Sequence, residues 1–267
     1  MKKMKKIIAF VLTAVMVLGF AGCSKKSSKS DLDYIKDKGK IVVGITDFNP
    51  MDYEEEKGSG KWIGFDADMA TKFAKSLGVD VEFVEIDWDN KLMELNSKSI
   101  DCVWNGMTIS DEVKKGMSVS NAYCKNTQVV VVKKDVADKY QSLESVKNLK
   151  FAAEAGSAGE KALKDLGYSV TSVTAQVDAL MEVNAGTSDA AVIDLIMAGA
   201  LVGEGTSYEN LAYTIGVAEE ENYGVGFRKG SNLTEKLNEF FKACYADGSM
   251  LEIAKTYGVQ ESVMEQK

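Results

Sequence analysis

The sequence predicts an α/β fold built as two similar lobes. Three observations carry that prediction. Stretches of strand character alternate with stretches of helical spacing, the pattern that builds helix-covered sheets with parallel strands. Part of the pattern occurs twice, at an offset of 88 residues. The chain, at 267 residues, is long enough for two ordinary domains.

The elements follow in order. Ile41-Val42-Val43-Gly44-Ile45 reads as a buried strand, a continuous apolar run with β-branched residues. Phe65, Met69, Phe73 and Leu77 recur at helical spacing, and Gly78 stops that helix. Residues 81–86 alternate as a strand, 90–96 form a short helix, and 102–104 a strand. Residues 128–132 read as a further strand. The pattern then restarts, with a strand at 151–153, a helix at 160–166 stopped by Gly167, and a strand at 170–173. A helix at 175–185 and a strand at 190–193 complete it, and helices at 233–245 and 250–257 end the chain.

The echo lies in Leu92-Met93-Glu94-Leu95-Asn96 followed by Asp101, matched by Leu180-Met181-Glu182-Val183-Asn184 followed by Asp189. A period this long exceeds that of solenoid repeats, so each copy marks a lobe rather than a repeat unit. In open sheets of parallel strands, ligands sit beyond the carboxyl ends of the strands. That rule selects residues 46–48, 105–108, 154–159 and Asp194, and two lobes presenting such ends to each other form a cleft.

Composition removes several chemistries. The chain has no histidine, which excludes Ser-His-Asp and Cys-His catalysis and His-ligated metals. Its four cysteines show no Cys-x-x-Cys spacing, so no zinc or iron–sulfur pattern is present. No cofactor is expected. The net charge of −8 argues against a nucleic-acid partner, which requires clustered Lys and Arg. Cys102, Cys124 and Cys244 remain in the body, and no disulfide is assigned among them.

The first residues read as an address. Lys2, Lys3, Lys5 and Lys6 precede an apolar run over 7–20, too short to span a bilayer. Phe20-Ala21-Gly22-Cys23 resembles a bacterial lipobox, which makes residues 1–22 a lipoprotein signal peptide and Cys23 the lipidated residue. Residues 23–30, rich in Ser and Lys, then form a tether. The expected location is the outer face of a bacterial cell membrane.

Five motifs in order bring a resemblance: Gly39-Lys40-Ile41-Val42-Val43-Gly44; Gly64-Phe65-Asp66-Ala67-Asp68-Met69-Ala70; Gly106-Met107-Thr108-Ile109-Ser110-Asp111-Glu112; Ala155-Gly156-Ser157-Ala158-Gly159-Glu160; and Tyr223-Gly224-Val225-Gly226-Phe227-Arg228-Lys229-Gly230. Together they resemble family 3 of the bacterial extracellular solute-binding proteins, receptors of ABC importers for polar amino acids. The resemblance implies a type II periplasmic-binding-protein-like clamp, two parallel-sheet lobes joined by a two-strand hinge. Lobe 1 would hold residues 31–126 plus 224–267 and lobe 2 residues 127–223, with the C-terminal helices packed on lobe 1. The implied partners are a small solute and an ABC permease, and the default state is a monomer.

The resemblance also assigns roles. Phe48 and Trp88 match the positions that sandwich the ligand side chain. Thr108 matches the hydroxyl that meets the ligand carboxylate, with Asn105 and Gly106 beside it. Ser157 and Ala158 lie where a strand turns into a helix, whose free N–H groups suit a carboxylate. Asp194 matches the acid that pairs with the ligand ammonium. One departure stands out: Val113 occupies the position where the family has an Arg that clamps the α-carboxylate. The chain's only Arg, Arg228, belongs to the return strand. With Asp47, Glu154 and Asp194 at the cleft, two aromatic residues and no Arg, the expected ligand is cationic or carries a prominent ammonium. Two alternatives are a dehydratase of cyclohexadienyl acids on the same fold, whose acids would do proton transfer, and a surface adhesin with a degenerate clamp.

Overall fold

The structure is a computed structural model that describes residues 29–267. The expected signal peptide, Cys23 and all but the end of the expected tether lie outside the described residues. Ser30 caps the first helix, Asp31–Lys38, by accepting the Asp33 N–H at 3.2 Å. Asp31 and Asp33 in its first turn and Lys36 and Lys38 in its last complement the helix dipole.

Two five-stranded sheets carry the two lobes, and their strand orders correspond. The first runs Asp80–Glu85, Lys40–Ile45, Cys102–Val103, Gly226–Arg228, Met117–Val119. The second runs Ser169–Val173, Lys150–Glu154, Ala190–Asp194, Gln128–Lys133, Leu211–Gly216. In each sheet the first three strands are parallel. The fourth strand is antiparallel to the third, and the fifth to the fourth. Each lobe is thus mixed rather than parallel throughout, and the reason is the connection between them. The chain passes between the sheets along an antiparallel ribbon, Cys124–Asn126 against Glu221–Tyr223. Each crossover feeds the fourth strand of the sheet it enters, so that strand arrives against the direction of the βαβ-built three.

The 88-residue echo falls on equivalent places. The helices Lys91–Ser97 and Gln176–Ala185 each lead into the third strand of their own sheet. The acid that ends each echo ties that third strand to the sheet's second strand. Asp101 accepts the Val42 N–H at 2.9 Å, and Asp189 accepts the Lys150 N–H at 2.9 Å. In the first lobe the tie is reinforced: Arg228 reaches Asp101 at 3.1 Å, Asp31 at 3.1 Å and the Ile100 carbonyl at 2.8 Å. Arg228 therefore braces lobe 1 from a buried position.

Helices Phe65–Leu77 and Leu233–Ala246 pack on the first sheet, with Ser249–Thr256 against both of them, and Phe73, Trp104, Tyr123 and Phe241 form a chain of aromatic contacts at 5.4–6.5 Å. Cys102, Cys124 and Cys244 are buried and free. Among the described residues, no helix is long and apolar enough to cross a membrane.

Candidate functional site

The carboxyl ends of the parallel strands meet where the two lobes touch. The Lys91 ammonium of lobe 1 donates to the Gly156 carbonyl of lobe 2 at 3.1 Å. A Cβ added to Gly156 would lie 2.7 Å from the Asp89 backbone, so the glycine permits this approach. Asp47, beyond strand Lys40–Ile45, feels the charge of Asp178 from the other lobe.

Three of the residues selected from the sequence form the wall of this junction. Asn105 directs its whole amide inward. Its Oδ1 accepts the Thr46 N–H at 3.1 Å and hydroxyl at 2.9 Å, while Nδ2 donates to the Thr46 carbonyl at 2.9 Å and Asp52 at 2.8 Å. That fills the four bonds of a carboxamide's main donors and acceptors. The Asn105 side chain thus shapes the strand end with its amide fully engaged. Gly106 donates its N–H to Asp66 at 2.8 Å. Its φ is +54°, and an added Cβ would stand 2.5 Å from the Phe48 ring and 3.1 Å from Tyr223. Phe48 is only 2% exposed and meets Tyr223 edge-on at 6.4 Å.

Trp88 belongs to a different apolar cluster from Phe48, one with Val42, Leu95, Ile100, Val103, Met107 and Met117. Val113 packs against this cluster from the short helix Asp111–Gly116, whose cap is Ser110. The position that resembles the family's Arg site is therefore apolar in its surroundings as well as in its residue. Thr108 is half-buried, and its backbone bridges Tyr223.

On the second lobe, Ser157 caps helix Ala158–Asp165 by accepting the Glu160 N–H at 3.0 Å. Ala158 opens that helix and is half-buried. Gly159 lets it lie close to the sheet, since an added Cβ would be 2.7 Å from Gln128. Asp194 is buried under donors: Tyr223 at 2.6 Å and Gln128 at 2.8 Å, with Asn126 and Gln176. Burial raises its carboxyl to about 7, Glu221 adds to the rise, and the bonds from Tyr223, Gln176 and Gln128 oppose it. The amides of Asn126 and Gln128 also donate to Glu221, at 2.7 and 2.6 Å, so two acids share two amides at the ribbon.

Glu154 ends its strand facing the first lobe. It is 2% exposed, and its Oε1 has no hydrogen-bond partner. Burial raises its carboxyl to about 8, the Thr46 hydroxyl and Lys91 oppose the rise, and Asp194 and Asp178 add to it. Asp47 is raised too, by burial first and then by Glu85 and Glu54.

Lys91 was not selected from the sequence. Its ammonium donates to the Trp88 carbonyl at 2.9 Å and lies 4.8 Å from the Trp88 ring centroid. Burial lowers its pKa, and Glu154, Asp89 and Glu112 oppose the fall. Asp178 and Tyr208, whose hydroxyl is raised by burial and by Asp178 and Asp47, were also missed. The one available signal was the spacing of Lys91 three residues after Trp88, which puts the two on one face of a helical turn.

A pair of α/β lobes of like topology, hinged by a two-stranded ribbon and meeting over buried charged groups, defines a bilobed binding protein of the type II periplasmic class. The chain belongs to the bacterial extracellular solute-binding proteins, family 3, whose profile matches residues 41–260. It is similar to the arginine-binding extracellular protein ArtP of Bacillus subtilis (strain 168), with 28% identity over 95% of this chain and 98% of that one. Among solved structures it resembles an ABC uptake transporter substrate-binding protein from Streptococcus pneumoniae with bound histidine. That likeness has a TM-score of 0.81 and 27% identity, covering 90% of this chain and 100% of the other. It also resembles an ancestral amino acid-binding protein described as a precursor of cyclohexadienyl dehydratase, with a TM-score of 0.77 and 31% identity over 85% of this chain and 99% of that one.

Proposed function

We propose that this protein is the extracytoplasmic receptor of an ABC importer and captures a small amino-acid-like solute that carries a positive charge. The observation that carries this reading is Glu154, a buried carboxyl at the lobe junction with one unpartnered oxygen. A cationic group of a ligand would bond that oxygen and offset the burial of the charge. Asp194 and Asp178 add negative charge that acts on it. The arginine and histidine named for the relatives accord with such a ligand.

In this reading residues 31–126 plus 224–267 form one jaw and 127–223 the other. Ligand binding shifts the balance toward the closed form only as far as it favours that form. Residues 1–22 are removed, Cys23 carries the lipid, and residues 23–30 tether a monomeric body outside the membrane. No cofactor is involved. The dehydratase alternative draws on the likeness to the ancestral protein, yet the acids between the lobes would repel its dicarboxylate substrates.

The test is thermal unfolding of the purified protein against the common amino acids, ornithine, cystine, polyamines, betaines and dipeptides at about 1 mM. A ligand with micromolar affinity adds about 4 kcal/mol at that concentration, which raises Tm by about 8–16 °C for a protein of this size. A shift from cationic compounds is expected. A larger shift from acidic or neutral amino acids refutes the charge assignment and keeps the receptor. No shift with any compound refutes capture of an amino-acid-like solute.

A further inference from the structure

We propose that Lys91 holds the carboxylate of the ligand, in place of the Arg that the family carries at the position of Val113. This rests on the receptor reading given above. The ammonium of a lysine has three N–H donors. Two of them go to backbone carbonyls, Trp88 at 2.9 Å in its own lobe and Gly156 at 3.1 Å in the other. The third remains for a ligand. The same ammonium stands on the Trp88 ring, 4.8 Å from its centroid, and Trp88 shares its apolar cluster with Val113. Lys91 therefore brings a cation to the neighbourhood that Val113 leaves without one, reaching it from helix Lys91–Ser97 rather than from helix Asp111–Gly116.

Glu154, Asp89 and Glu112 act on the Lys91 charge, yet both hydrogen bonds of the ammonium go to carbonyls and none to a carboxylate. Gly156 immediately precedes Ser157, which caps helix Ala158–Asp165, so the ammonium lies beside the positive end of a helix dipole. The nearby Glu160 does not answer this charge, because its carboxylate already takes the Gly156 N–H, the Ser172 hydroxyl and Lys164. The junction thus presents one free cationic donor at Lys91 and one free carboxyl oxygen at Glu154. That pair is complementary to a zwitterion, with its carboxylate on Lys91 and its ammonium on Glu154.

The experiment is calorimetric titration of the purified protein with L-arginine, L-histidine, L-glutamine and L-cystine, and with the α-carboxamide of each. A charge-assisted bond to the carboxylate corresponds to a preference of tenfold or more for the free acid over its amide. Lys91→Met keeps the apolar stem over Trp88 and removes the charge. It is expected to bring the acid-to-amide ratio close to one, any loss common to acid and amide reflecting the Gly156 bond that methionine cannot make. Lys91→Arg is expected to retain the preference, and Lys91→Met with Val113→Arg to restore it. A Lys91→Met protein that keeps the wild-type ratio overturns the assignment and leaves the receptor standing. Equal losses for acid and amide also overturn it, since they mark Lys91 as a lobe-to-lobe strut. A wild-type protein that binds none of the eight compounds overturns the assignment, and the wider thermal panel given above then decides the receptor reading.

Discussion

Replacing Glu154 with Gln should flatten the protein's stability against pH, and the size of the effect follows from burial. The carboxyl sits at 2% exposure and titrates at about 8 instead of its ordinary 4.5. Between those values the folded protein holds a proton that the unfolded chain has released. Stability from this group is therefore complete below about pH 4.5 and is lost as pH rises through about 8. Each pH unit in that window removes about 1.4 kcal/mol, so the whole window removes about 5 kcal/mol as an order of magnitude. At about 2–4 °C per kcal/mol, the loss in Tm is about 10–20 °C. Glutamine has the same shape and cannot ionise. Differential scanning calorimetry of both proteins from pH 4.5 to 9 reads the difference directly. Asp66, raised by burial to about 7, tilts both curves alike and drops out of the comparison, whereas Asp194, also raised to about 7, acts on Glu154 and contributes to the difference. The variant should match the wild type near pH 5 and exceed it by several kcal/mol at pH 9. Parallel curves would show that Glu154 is solvated in solution and contradict its burial at 2% exposure.

Three further substitutions probe the scaffold. Gly106→Ala should destabilise by about 2–4 kcal/mol, through its positive φ and a Cβ driven into Phe48; urea unfolding with an unchanged midpoint would contradict the packing described. Asp101→Asn should be far more damaging than Asp189→Asn at the equivalent place. Asp101 is fully buried with Arg228 and Lys38, and leaving buried charge unpaired costs about 3–5 kcal/mol, whereas Asp189 is exposed and holds one backbone N–H, worth about 1 kcal/mol. Equal losses in chemical denaturation would refute that asymmetry. Asp47→Asn should weaken binding of cationic amino acids severalfold in titration with little change in Tm, and unchanged affinity would remove Asp47 from the site.

Much of this molecule is legible in its residues because the causes are local. The apolar, β-branched run 41–45 reads as a buried strand and is one, the spacing of Phe65, Met69, Phe73 and Leu77 gives one helix face, and Gly78 stops the helix in a left-handed turn at φ +75°. The helix Asp31–Lys38 escaped that reading because it is mostly polar, its single buried side chain being Ile35. The echo ending in Asp101 and Asp189 was visible as a pattern, and its purpose was not, since each acid bonds a backbone N–H some 39–59 residues away.

Residue type and spacing along the chain are enough for two α/β lobes with acids at their strand ends. Only the tertiary structure decided which polar groups are free. Folding surrounds the side chains of Asn105 and Asp194 with donors and acceptors from Thr46, Asp52, Gln128, Gln176 and Tyr223. Lys91 looks like an ordinary helix lysine, yet closure of the lobes sets it between Trp88 and Gly156. The physical reason is that residue type and spacing fix which groups can bond, while the meeting of segments distant in sequence fixes which of them already have.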